Sequence, residues 1–174
     1  MESATRLVFV DESGANTKMS RLRGRALGGR RLVARIPHGH YQTSTLISGM
    51  RWNGPCAPWL FEGPMNGEMF LAWVTQGLAP ALRSGEVVIL DNLATHKIRG
   101  VREALAAAGA RLLYLPPYSP DFNPIEPMWS KIKQTLRGHA PRTDEQLLKA
   151  AKKAFQSISA ADCEGFFFSA RYAT

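Results

Sequence analysis

An apolar run that is halted by prolines and restarted at once as a helix leaves a chain few conformational options. Residues 115–133, LPPYSPDFNPIEPMWSKIK, do both. Pro116, Pro117 and Pro120, with Tyr118 among them, stop the run that precedes them. Asn123-Pro124 then opens a helix. Asparagine is a favoured N-cap, and proline suits the first helical position, whose N–H has no intrahelical partner anyway. Glu126 falls in the first turn, at the positive end of the helix dipole. Helical spacing puts Ile125, Met128, Trp129, Ile132 and Leu136 on one face, and Glu126, Ser130, Lys133 and Arg137 on a neighbouring one. One stripe enters a core. The other presents a carboxylate followed by hydroxyl and cationic groups.

A lone glutamate in a first turn is ordinarily a dipole-compensating surface residue. Two other acids change that reading. Asp11 closes the apolar run Leu7-Val8-Phe9-Val10, Asp91 closes Val87-Val88-Ile89-Leu90, and thirty-four residues separate Asp91 from Glu126. Short unbroken apolar runs read as fully buried strands, and the ends of central strands are a usual place for functional groups in mixed sheets. Glu12 adjoins Asp11 but points the other way if the strand pleat continues, which leaves it a minor candidate for a metal role.

The remaining elements follow from periodicity and turn chemistry. Residues 18–36 are basic and punctuated by Gly24, Gly28 and Gly29; without a following Gly-Lys-Ser/Thr these glycines read as hairpin turns and not as a phosphate-binding loop. Strands are expected over 31–36, 41–48 and 58–62, with His38 and His40 in the turn between the first two, as turn or DNA-contact residues. A helix is expected over 68–82, another over 97–108 capped by Gly109, and a strand over 111–115. Thr143 and Ser159 each fit a capping box, the second opening a short helix that carries Phe166, Phe167 and Phe168. Those three cannot share a face, so at least one is a candidate interface residue, with packing on the neighbouring helix as the favoured alternative. Strands and helices in this order predict an α/β fold, a mixed sheet covered by helices.

Charge adds a partner class. Net charge is +8 and the sequence pI about 9.9. Between Ser13 and Phe61 there is no acid, yet Lys18, Arg21, Arg23, Arg25, Arg30, Arg31, Arg35 and Arg51 all fall there. One-sided charge of this kind is a footprint for a polyanion, and guanidinium forks match phosphate oxygens. The other reading is a solvated basic hairpin that aids solubility. No apolar run approaches the length of a membrane span and the N-terminus has no signal-peptide pattern, so a cytoplasmic chain with no membrane partner is expected. Cys56 and Cys163 are isolated and read as reduced, structural thiols.

The segments FVDESG (9–14), VVILDNLATHK (87–97) and LPPYSPDFNPIEPMWSKIK together resemble the mariner-type DDE transposases, in particular their bacterial insertion-sequence branch, and the Asp–34–Glu spacing is itself a mark of that family. The resemblance covers nearly the whole chain. It implies a ribonuclease H-like fold and a catalytic, metal-holding triad of Asp11, Asp91 and Glu126. It also implies two Mg²⁺ ions per site with Mn²⁺ as substitute, cleavage of DNA at transposon ends, and strand transfer into target DNA. DNA contacts are expected from Arg21, Arg23, Arg25, Arg30, Arg31, Lys133 and Arg137. Asn92 and His96 are accessory candidates: Asn92 for the turn or a metal-bound water, His96 as proton shuttle, phosphate contact or helix-start residue. Asp121, in Ser-Pro-Asp, reads as a turn residue and not as the third ligand.

The mechanism joins two ends, so a homodimer on DNA is expected, in the bacterial cytoplasm and at the nucleoid when bound. Relatives of this kind place helix-turn-helix modules before the catalytic domain. Here the first strand starts close to Met1, so the expectation is a single catalytic domain over 1–174, with sequence-specific binding supplied by a separate segment or chain. Two other readings stand beside this one: a stand-alone ribonuclease H-like nuclease with the same triad, and a DNA-binding or assembly module whose site has decayed.

Overall fold

The computed structural model describes residues 3–33, 37–38, 41–116 and 120–172. Strand β1 (Leu7–Asn16) is central in a five-stranded mixed sheet of order β3-β2-β1-β4-β5. β2 (Thr43–Arg51) and β3 (Gly54–Glu62) continue from it antiparallel, while β4 (Val87–Leu90) and β5 (Arg111–Tyr114) continue parallel on the other side. Between β3 and β4, helix α1 (Gly67–Trp73) is capped by Asn66, whose side chain accepts from Met69 N at 2.8 Å. It runs through a π-helical turn (Val74–Leu78) into α2 (Ala79–Ala81). Pro80 supplies no N–H there, and the run loosens just before it. Helix α3 (Val101–Ala107) links β4 to β5, and α4 (Ile125–His139), α5 (Asp144–Gln156) and α6 (Ala160–Ser169) follow β5.

The pleat of β1 divides the molecule into two cores. Leu7 and Phe9 face the α4–α5–α6 side, where they join Met128, Trp129, Ile132, Leu136 and Phe167. Val8 and Val10 face the α1–α3 side, with Phe70, Trp73, Val101 and Leu105. β4 alternates in step: Val87 and Ile89 with the first set, Val88 and Leu90 with the second. All five residues of the predicted apolar face of α4 are buried.

Several expected boundaries shift. β1 does not stop at Asp11 but continues to Asn16, because β2 pairs with it along Phe9 to Asn16. Pairing with β4, however, ends at Phe9–Ile89. The helix expected from residue 97 begins at Val101, preceded by a 3₁₀ turn over Ala94–Lys97 and by Gly100, whose φ of 101° is left-handed. Residues 31–33 are not a strand: the described part of the basic segment, up to residue 33, is coil with a 3₁₀ turn at Leu27–Gly29, so the expected hairpin is absent among the described residues. Arg35 and His40 lie outside those residues. Asn123 does not cap α4 through its side chain; its backbone carbonyl accepts from Glu126 N at 3.2 Å instead. Ser159 forms the expected capping box with Asp162. Thr143 caps α5 through Gln146 N, but the Gln146 side chain turns to Arg142 N.

The three phenylalanines of α6 separate by exposure: Phe167 is fully buried at 0%, whereas Phe168 is 63% exposed. Phe167 meets the rings of Phe9 and Trp52 edge-on at 5.4 and 5.5 Å. Phe167→Ala is expected to lower stability by about 3–5 kcal/mol through the missing ring and the cavity left behind. Phe168→Ala should stay within about 0.5 kcal/mol of the parent protein, as surface substitutions usually do. Urea denaturation of the two variants checks both.

Candidate active site

The point where β1 loses β4 as a neighbour gathers the acids. β4 ends at Leu90, so Asp91 leaves the sheet beside the stretch of β1 that carries Asp11 and Glu12. The pleat then assigns the two β1 acids to opposite faces, as the alternation predicts.

Asp11 continues the Leu7–Phe9 row toward α4. Its Oδ2 accepts a hydrogen bond from Trp129 Nε1 at 3.1 Å. Burial pushes the Asp11 pKa up to about 7, helped by the charges of Glu12, Glu126 and Asp91 and opposed by the Glu12 backbone N–H. Glu126, exposed in the first turn of α4, is therefore close enough to act on Asp11, and Asp121 is not among the groups that do. Asp121 does line a cleft with Asn123, Pro124, Glu126 and Phe166, in which Asn123 Oδ1 is buried without a hydrogen-bond partner among the described residues.

Glu12 continues the Val8–Val10 row to the other face and meets His96. Both of its oxygens lie near His96 Nε2, at 3.0 and 3.1 Å. On the other side of the ring, His96 Nδ1 stands 2.5 Å from Asp91 Oδ1, an ion-pair contact and not an aligned hydrogen bond. The imidazole is fully buried and lies against Phe70, ring centroids 4.3 Å apart. Burial alone would depress its pKa, but the Asp91 and Glu12 carboxylates outweigh that and lift it to about 9. Burial works to raise the Asp91 pKa too, yet His96 and the Leu93 N–H, 3.1 Å from Oδ1, hold it below the usual carboxylate range. Asn92 is exposed.

Of the basic residues, Arg21, Arg23 and Arg137 line one cleft between the coil after β1 and the solvent side of α4. Arg25, Arg30 and Arg31 are exposed farther along the coil, and Lys133 does not line that cleft. The coil is anchored by Arg142, whose Nη1 donates to the carbonyls of Thr17 and Met19 at 3.2 and 2.9 Å.

As the side chains stand, no three His, Cys, Asp or Glu residues among those described converge closely enough to hold a metal ion. The donor set is still suited to a hard cation, being carboxylate oxygens, and Asp11 is crowded by like charge in the way that a cation would relieve.

A family profile for DDE superfamily endonucleases matches residues 6–148. The chain belongs to this superfamily. No curated protein matches this DDE endonuclease chain in sequence. Its fold is similar to that of Mos1 transposase in a pre-cleavage transpososome, with a TM-score of 0.76 at 15% identity, covering 97% of this chain and 54% of that one. The Mos1 mariner paired-end complex with Mn matches at a TM-score of 0.72 and 18% identity, over 97% of this chain and 54% of that one. The Mos1 catalytic domain with raltegravir and Mg matches at 0.70 and 16%, over 97% of this chain and 81% of that one. The DDE endonuclease chain thus spans about half the length of the transposase chains in the two assemblies. The fold is ribonuclease H-like, as the motifs implied.

Sequence reasoning did not assign Trp129 or Glu12 their partners. A buried indole N–H needs an acceptor, which was the available signal for Trp129. The Glu12–His96 contact spans 84 positions, and only the sheet brings its members together.

The raised Asp11 pKa has a signed consequence for stability. Below about pH 4 Asp11 is protonated both folded and unfolded. As pH rises toward 7 the unfolded chain ionises first, so the folded state loses stability, and the loss is complete above pH 7. In metal-free buffer Asp11→Asn is therefore expected to melt at least ~5 °C above the parent at pH 8, an advantage that shrinks to nothing near pH 4. Thermal melts of both proteins across that range check it.

Proposed function

We propose that this chain is the catalytic domain of a mariner-type transposase of the bacterial insertion-sequence branch, which cuts DNA at transposon ends and transfers the strand to target DNA. The observation that carries the reading is placement: Asp11 and Asp91 sit where β1 and β4 part, and α4, which meets Asp11 through Trp129, carries Glu126 in its first turn. The match to DDE superfamily endonucleases supports it, as does likeness to Mos1 assemblies with a transposon end and in strand transfer.

Asp11, Asp91 and Glu126 would hold divalent cations, Mg²⁺ or Mn²⁺ and two per site, consistent with Mos1 catalytic-domain structures with either ion. When bound, such ions activate water and neutralise charge on the attacking and leaving oxygens of a phosphodiester. The protein's own part is placement. Trp129 fixes one oxygen of Asp11, Leu93 and His96 fix one oxygen of Asp91, and α4 offers Glu126 from a rigid first turn. Cleavage breaks a phosphorus–oxygen bond with water as nucleophile and frees a 3′-hydroxyl. Strand transfer exchanges one phosphodiester for another, so it needs no nucleotide triphosphate.

The Arg21–Arg23–Arg137 cleft, with Arg25, Arg30, Arg31 and Lys133 nearby in sequence, would take the DNA backbone. Phosphate contacts position a protein without reading sequence, so end recognition would come from a separate DNA-binding segment, in cis or in trans. Two ends require two sites, hence a homodimer on DNA, acting in the bacterial cytoplasm.

Asp11→Asn, Asp91→Asn and Glu126→Gln should each abolish metal-dependent cleavage of labelled end DNA while circular dichroism stays native, and Asp121→Asn should keep it. Near-normal cleavage by Glu126→Gln with loss in Asp121→Asn would reassign the third acid. Joining of the labelled ends to a plasmid distinguishes a transposase from a stand-alone nuclease, which cuts without joining.

The arginine cleft has its own test. Replacing Arg21, Arg23 and Arg137 together by alanine should lower affinity for end and scrambled duplex alike. It should also flatten the slope of log affinity against log salt by up to ~3, about one for each phosphate no longer neutralised. Fluorescence anisotropy over a salt series measures both.

A further inference from the structure

We propose that Glu12 and His96 form a positioning pair for Asp91, holding its Oδ1 so that Oδ2 is reserved for the ligand of the site. This rests on the reading of Asp91 as a metal-holding residue. Four observations support it. His96 is fully buried, and a buried polar ring without a task would be better replaced by an apolar one. Its two nitrogens are both engaged by carboxylates, Glu12 at Nε2 and Asp91 at Nδ1. Its backbone is tied at both ends, N–H to Leu93 O at 3.2 Å and carbonyl from Tyr114 Oη at 3.1 Å. Finally, the contacts to Asp91 from Leu93 N and from His96 both fall on the same oxygen, Oδ1.

The pair solves a problem that a single strand end creates. Asp91 lies just beyond the last paired residue of β4, where the sheet no longer fixes its side chain. Glu12 cannot reach the α4 side, because the pleat sends it to the opposite face from Asp11. It reaches Asp91 only through the imidazole. Glu12 and His96 are thus positioning residues and not ligands. Partners of this kind typically change metal affinity by about 10–100-fold when removed.

Two readouts test the pair. The first is the metal-free protein. Nitrogen NMR of the imidazole is expected to show the His96 Nδ1 resonance moved by Asp91→Asn and the Nε2 resonance moved by Glu12→Gln. Indifference of both ring signals to these substitutions overturns the pairing. The second is Mn²⁺ titration by calorimetry. In His96→Asn the amide nitrogen keeps a donor group beside Asp91 but loses Glu12, so affinity should fall ~10-fold, as in Glu12→Ala. In His96→Gln the amide reaches Glu12 and leaves Asp91 without its neighbour, and affinity should fall further, by up to ~100-fold. A His96 that merely fills space would give two variants with equal Mn²⁺ affinity, and that result overturns the proposal.

Glu12→Ala, at a partly exposed strand position, tests the same idea if the His96 variants fail to fold. A ~10-fold loss supports positioning. Complete loss makes Glu12 a ligand, and no change makes it irrelevant; either overturns its assigned role. A parent protein that shows the ring signals but binds no Mn²⁺ refutes the underlying reading of Asp91. Firm Mn²⁺ binding by the parent with indistinguishable His96 variants refutes only the positioning pair.

Discussion

The strand pleat of β1 is the constraint on which the rest depends. Because side chains alternate strictly, Leu7, Phe9 and Asp11 belong to one face and Val8, Val10 and Glu12 to the other. The same alternation that buries four apolar residues in two separate cores also delivers two adjacent acids to two different environments. A one-residue slip of β1 against β2 would exchange them, and it would do so only by turning both cores inside out. The placement of the acids is therefore protected by the full hydrophobic energy of the sheet.

Environment then makes the carboxylates unlike. Asp11 is buried with several like charges around it, and these outweigh the Glu12 backbone N–H, so its pKa rises to about 7. Asp91 has the His96 ring and the Leu93 backbone N–H, which outweigh its burial and hold its pKa below the usual carboxylate range. A polar cluster of this sort is stable only when each member is matched, and Asp11 is the member left with surplus negative charge. Such a residue carries surplus charge that a cation would relieve, and in this it differs from a structural ion pair. The Arg51–Glu86 pair at 2.7 Å is the structural kind: the guanidinium also donates to Ala81 O, and nothing in it is unmatched.

The basic segment follows a different logic. Its exposed arginines and its leucines bury little, so cohesion comes from its start: β1 pairing up to Asn16 and, just beyond it, Arg142 gripping the carbonyls of Thr17 and Met19. Held there, it approaches the cationic side of α4 closely enough for Arg21, Arg23 and Arg137 to share a cleft. Cations that repel one another in this way would be relieved by a polyanion laid across them.

The sequence by itself determined the elements whose physics is local. The unbroken apolar runs 7–10 and 87–90 could only be buried strands, and the spacing of Ile125, Met128, Trp129, Ile132 and Leu136 fixed which face of α4 is buried. The acids that follow those runs were legible for the same reason, and so was the opposite orientation of Glu12, although β1 runs on past Asp11 to Asn16. Hairpin strands in the basic segment were expected from turn-forming glycines, yet turn chemistry without an alternating apolar face gives a strand nothing to bury, and coil resulted. Only the tertiary structure decided the partners. Trp129 reaches Asp11 across 118 positions and His96 reaches Glu12 across 84, distances in sequence over which no propensity or spacing acts. Those contacts exist because β1 lies between β2 and β4, and strand order is set by the packing of whole faces, a property that no single segment of the chain carries.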